Sequence, residues 1–151
     1  MNQNSKDLSA ESGTLSGSQL FTLRNLDGQD TSLEILLKRN KAVLLNFWAT
    51  WCPPCREEIP ELMKLQETYQ DRAFTVLGID VGESAAKVSS FVKKEGINYP
   101  IVLDSNSEVT EGYGVVGIPT SFLIRSDGKI LGVYHGFTRQ MAADIERTLK
   151  E

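Results

Sequence analysis

The run Ala42-Val43-Leu44-Leu45-Asn46-Phe47-Trp48 is apolar except at Asn46, and it is followed almost at once by Trp51-Cys52-Pro53-Pro54-Cys55. An unbroken run of this kind, without polar alternation, is the pattern of a strand covered on both faces. It predicts a central strand. Beyond the cysteines the period changes: Ile59, Leu62, Met63, Gln66 and Tyr69 recur at three- and four-residue spacing, so a long helix starts at Pro53, with Pro60 inside it as a place for a kink. The cysteine pair therefore sits where a buried strand passes into a helix, and Cys52 falls at the helix N-terminus.

The other segments arrange themselves around this junction. Leu20 to Leu23 followed by Asn25-Leu26-Asp27-Gly28 reads as an entry hairpin, because Asp-Gly is a turn signal. Ala73 to Ile79 is a second buried strand. Val88, Phe91 and Val92 share one face of a helix that starts near Ser84 and ends before Gly96, and Ile101-Val102-Leu103 is a short strand. Helical turns follow over Ser107 to Tyr113, then Ser121 to Ile124, a turn at Ser126-Asp127-Gly128-Lys129, a return strand Ile130 to Tyr134, and a helix carrying Met141, Ile145 and Leu149. This order predicts an α/β fold with a mixed central sheet, helices on both faces and an N-terminal β-hairpin. At 151 residues, one domain is expected over 19–151. Residues 1–18, rich in Ser, Asn and Gly, are expected to be a flexible polar tail or tether.

Composition removes several function classes. With 16 Lys+Arg against 20 Asp+Glu there is no basic surplus for nucleic acid. No run approaches the ~18 apolar residues of a membrane-spanning helix, and the start lacks a signal-peptide pattern. Two cysteines and one histidine, His135, show no zinc-ligand spacing, so no metal is expected. His135 reads as a surface residue of the return strand. Asp127-Gly128, Gly112 and Gly114 are turn residues, since no phosphate-loop or dinucleotide motif is present.

A helix N-terminus offers free N–H groups and a positive dipole end, which favour the thiolate that attacks and leaves in disulfide exchange. Pro53 and Pro54 fit the first helical turn. They also delete two donors, leaving the Cys55 N–H among those able to reach Cys52, so thiolate stabilisation should be weaker than with N–H-bearing residues there. Cysteines three apart on a helix can close a disulfide. The plainer alternatives are two ordinary buried thiols, a metal-binding pair, or a permanent bridge, and so short a closed loop would stabilise little.

The segment Asn46-Phe47-Trp48-Ala49-Thr50-Trp51-Cys52-Pro53-Pro54-Cys55, with Gly117-Ile118-Pro119-Thr120 ahead of a strand, resembles the thioredoxin superfamily. Cys55-Arg56-Glu57-Glu58-Ile59-Pro60, Asp80-Val81-Gly82-Glu83-Ser84 and Tyr99-Pro100-Ile101-Val102-Leu103-Asp104 are similar to its extracytoplasmic TlpA/ResA group. The resemblance runs from about Gln19 to the C-terminus and implies a thioredoxin-like fold. It also implies roles at matching positions: Cys52 as attacking thiolate, Cys55 as resolving thiol, Pro119 as a cis-proline facing them, and Ile118 and Thr120 flanking a substrate groove. Trp51 would be an exposed contact beside Cys52, while Trp48 belongs in the core. Glu58 takes the position of a buried active-site glutamate that trades a proton with Cys55; its alternative is a solvated charge like Glu57. Asn46 stands where thioredoxins commonly carry a buried aspartate, and it cannot transfer a proton at neutral pH, which leaves that task to Glu58.

The function this implies is reduction of protein disulfides outside the cytoplasm, without a cofactor. Apocytochrome c C-x-x-C-H segments are one substrate class, a membrane thiol donor supplies electrons, and any signal or anchor lies outside this chain. A monomer is expected. The competing readings are a general cytosolic thioredoxin-like reductase, a thiol peroxidase, for which Thr50 stands at the wrong spacing from Cys52, and a non-catalytic adaptor that binds peptides through the Ile118 groove.

Overall fold

The computed structural model describes residues 13–151. The entry hairpin is β1 (Thr22–Asn25) paired antiparallel with β2 (Asp30–Ser32). Asn25 Oδ1 closes its turn by accepting from the amides of Asp27 and Gln29, both at 2.9 Å. Gly28 sits there at φ +80°, where a side chain would be strained. Helix α1 (Leu33–Arg39) follows, an element the sequence analysis passed over. Ser32 caps it, accepting from the Ile35 amide, and Lys38 and Arg39 lie in its last turn.

The apolar run is β3 (Ala42–Trp48), buried at every position. Helix α2 (Pro53–Tyr69) runs through Pro60 unbroken. Then come β4 (Phe74–Val81), α3 (Ala85–Glu95), β5 (Ile101–Asp104), the short α4 (Glu108–Gly112), β6 (Thr120–Arg125), β7 (Ile130–Tyr134) and α5 (Arg139–Lys150). The expected caps of α3 are present: Ser84 accepts from the Lys87 amide, and Gly96 ends the helix in the left-handed region.

Seven strands form one sheet in the order β2-β1-β5-β4-β3-β6-β7. β3, β4 and β5 are parallel neighbours, while the β1–β2, β1–β5, β3–β6 and β6–β7 pairs are antiparallel, so the sheet is mixed as expected. Alternate residues of β3 point to opposite sides. Ala42, Leu44 and Trp48 pack with Ile59, Leu62 and Leu65 of α2, Val88 of α3 and Met141, Ile145 and Leu149 of α5. Val43, Leu45 and Phe47 pack with Leu33 and Leu37 of α1 and with Tyr113 and Phe122.

The expected tail needs correction. Residues 1–12 lie outside the described residues, but 13–18 are not a free tail: the Leu15 amide donates to Gly128 O at 2.8 Å, and the Ile130 amide to Gly13 O at 2.7 Å. Leu15 also packs on the second core. A polar composition hid these contacts, since backbone pairing with the β6–β7 turn needs no apolar pattern. Among the described residues no helix is long and apolar enough to cross a membrane.

Candidate active site

The strand β3 delivers the chain to Cys52, which is the N-cap of α2, with Pro53 and Pro54 in the first turn. The Cys55 amide donates to Cys52 Sγ at 3.3 Å, the donor that the two prolines leave in place. Cys52 and Cys55 are joined in a disulfide, with their Cα atoms 5.2 Å apart. The structure is therefore the oxidised form of the pair.

Facing the disulfide is the segment that leads into β6. The Ile118–Pro119 peptide is cis, and Ile118 O lies 3.8 Å from Cys52 Sγ. Thr120 Oγ1 donates to Gly117 O at 2.6 Å and folds this segment on itself. Trp51 is 62% exposed beside Cys52, and Val116 is fully exposed just before the cis-proline segment. Trp48, in contrast, is core. His135 lies at the surface one residue past the end of β7 and not on the return strand as expected, with Nδ1 3.4 Å from Thr120 Oγ1.

Beneath the disulfide lies a buried polar row. The strand register sets Asn46 between Gly78 and Ser121, so Asn46 Nδ2 donates both to Ser121 Oγ (2.9 Å) and to Glu58 Oε1 (3.0 Å). Glu58, one turn along α2 from Cys55, is 5% exposed, unlike its solvated neighbour Glu57. Desolvation pushes its carboxyl up to about 7, the Asn46 bond opposing the rise. Its other oxygen, Oε2, accepts no hydrogen bond from the described residues. Burial, with Glu58's charge nearby, also raises the Tyr99 phenol.

This geometry coincides with known proteins. Residues 18–133 match the AhpC/TSA family. The chain belongs to that family. Within it, the chain is 36% identical over 131 residues to the thiol-disulfide oxidoreductase ResA of Bacillus subtilis, covering 86% of this chain and 72% of that one. A crystal structure of a thioredoxin family thiol:disulfide interchange protein from Chlorobium tepidum is similar at TM-score 0.72 and 36% identity, over 93% of this chain and 94% of that one. StoA from Bacillus subtilis superposes at TM-score 0.70 and 27% identity, over 83% and 96% of the two chains. This AhpC/TSA family member is thus a ResA-like protein thiol-disulfide oxidoreductase with a thioredoxin-like fold.

The ResA-like chain also has site residues that the sequence analysis gave no role. Arg56 Nη1 donates to Thr50 O at 3.0 Å, and Glu83 receives both the amide and the hydroxyl of Thr50, at 2.8 and 2.6 Å. These contacts fix the residue just before Trp51. The available signal was two carboxylates, Asp80 and Glu83, three apart at the end of a buried strand. Ser121 was missed too, because its pairing with Asn46 depends on the β3–β6 register.

Proposed function

We propose that this oxidoreductase is a reductase of protein disulfides that works outside the cytoplasm. The single observation that carries the reading is the placing of Cys52 Sγ at the N-terminus of α2, opposite the backbone of the half-buried Ile118 and the cis-Pro119, where an extended substrate segment would pair. Trp51 and Val116 would provide apolar contacts on either side of that segment, and Thr120 holds the groove's backbone in shape.

In the reduced enzyme, the Cys52 thiolate attacks one sulfur of a substrate disulfide. A mixed Cys52–substrate disulfide forms and the second substrate sulfur leaves as a thiolate, to be protonated from solvent. Cys55 gives its proton to the Glu58 carboxylate and attacks Cys52 Sγ. The remaining substrate thiolate is released and the Cys52–Cys55 disulfide closes. Two electrons have passed from the enzyme thiols to the substrate, and a membrane thiol donor restores them. Asn46 holds Glu58 in place and does not carry the proton.

The direction of flow is supported by Pro53 and Pro54. An oxidant of this class owes its potential to a stabilised reduced form. With two N–H donors removed, the Cys55 amide is the donor that reaches Cys52 Sγ, so the thiolate is stabilised modestly, which favours a reducing couple. The resemblance of Cys55–Pro60, Asp80–Ser84 and Tyr99–Asp104 to the extracytoplasmic TlpA/ResA group implies the location outside the cytoplasm and apocytochrome c C-x-x-C-H segments as a substrate class.

The test is trapping. In a Cys55→Ser variant, reduced protein mixed with a peptide carrying an oxidised C-x-x-C-H segment should accumulate a disulfide-linked adduct through Cys52, while Cys52→Ser should give none. No adduct with Cys55→Ser would overturn the mechanism. Peptide binding that survives in the Cys52→Ala/Cys55→Ala double variant without any turnover by wild type would support the adaptor instead.

A further inference from the structure

Asp80, at the end of β4, is completely buried, although nothing in the disulfide chemistry uses it. Its Oδ1 accepts the Glu83 amide at 3.2 Å, and among the described residues Oδ2 meets no donor. A carboxylate with a bare, fully shielded oxygen is costly, so the group persists there as the neutral acid. The Glu83 side chain, 6% exposed, accepts both polar hydrogens of Thr50. Thr50 precedes Trp51 and Cys52 directly.

Resting on the disulfide-exchange reading above, we infer that Asp80 and Glu83 are a proton-sharing latch: the Asp80 acid donates to the Glu83 carboxylate, which in turn holds Thr50 and so sets the position of the Trp51–Cys52 segment against the cis-Pro119 loop. Among the described residues neither side chain is hydrogen-bonded to Cys52 or Cys55. Both are positioning residues.

The charges around the pair fit one shared proton. On the α3 side Lys87 Nζ lies 3.5 Å from Glu83 Oε2. From α2, Arg56 donates to the Thr50 carbonyl and, among the described residues, pairs with neither carboxylate. On β5, Asp104 turns its carboxylate away, to Val109, Thr110 and the start of α4. Burial first, then the bond to and charge of Glu83, push Asp80 up to about 9. Burial alone would raise Glu83, but hydrogen bonds from Asp80, Thr50 and Lys87 outweigh it and hold Glu83 near 2. The two shifts run in opposite directions, as in a pair of carboxyls that keep one proton between them. When Asp80 loses that proton, two like charges face each other under Thr50 and the latch loosens.

Asp80→Asn tests this, because its amide N–H can still donate to Glu83 but cannot titrate. The rate of disulfide exchange by the reduced protein is measured against pH for wild type, Asp80→Asn and Glu83→Gln, and the wild type to Asp80→Asn ratio cancels the ionisation of the thiols. The expected ratio is near one at neutral pH and falls about tenfold by about pH 10, with Glu83→Gln slower by about tenfold throughout. A ratio that stays flat would overturn the latch. A second reading needs neither a variant nor turnover: in the oxidised wild type, the Thr50 amide proton resonance should move with pH through one transition near the Asp80 value. A Thr50 signal that does not titrate would also overturn the proposal, whereas a titrating Thr50 in a protein that cannot exchange disulfides would count against the function and not the latch.

Discussion

Glu58 starts from the ordinary carboxyl value of 4.5 in the unfolded chain and reaches about 7 when folded, because the fold takes it out of water beside Asn46. The folded state therefore holds this proton more tightly than the unfolded state does. Its stabilising contribution is complete below pH 4.5 and is lost as pH rises to about 7, a change of at most about 3 kcal/mol. In the oxidised protein, where the thiols do not titrate, Glu58→Gln should match wild type in denaturant unfolding near pH 4 and exceed it by up to about 3 kcal/mol near pH 8. Equal stability at both values would show that the carboxyl is solvated. In the reduced protein the same variant should slow disulfide exchange at neutral pH by roughly 10²-fold, since Cys55 loses its proton acceptor. Glu58 stands three residues beyond Cys55, but spacing alone does not separate it from Glu57; the ResA-like resemblance did, and its burial agrees with that expectation. Ser121, Thr50 and Glu83 were not legible, because each meets its partner across strands or loops far apart in sequence.

Elements with a strong period were read within a residue or two: β7 is Ile130–Tyr134, and α3 runs between its Ser84 and Gly96 caps. Helix α1 was passed over because it has seven residues, too few for a helical period to stand out, although Ser32 and the closing Lys38 and Arg39 mark its ends. Ser32→Ala should cost about 1 kcal/mol in thermal or denaturant unfolding and leave exchange rates unchanged, because α1 lies on the sheet face opposite α2. Gly78 in β4 is a stricter case. A Cβ there would stand 2.7 Å from Ile101 Cδ1 and 3.1 Å from Trp48 Nε1, so this glycine makes room for the tryptophan that ends β3. Gly78→Ala should destabilise by about 1–3 kcal/mol, and a variant as stable as wild type would mean that the Trp48 pocket yields easily.

Across the whole molecule, the mixed sheet and its two helical layers were readable because β3 is apolar on both faces, which demands cover on both sides. The strand order was not, since β5 inserts between β1 and β4 and no local pattern encodes that crossover. The fold brings the end of β3, the start of α2, the cis-proline segment before β6 and the loop after β4 together, so groups from four places in the chain meet around the Cys52–Cys55 disulfide and the Thr50 segment that leads to it. The central claim, that Cys52 and Cys55 form a reducing couple, is tested most directly by their reduction potential, measured by thiol alkylation after equilibration in redox buffers. A value close to that of thioredoxin, about −270 mV, is the expected result. A value close to that of DsbA, about −120 mV, would contradict it and make the protein an oxidant.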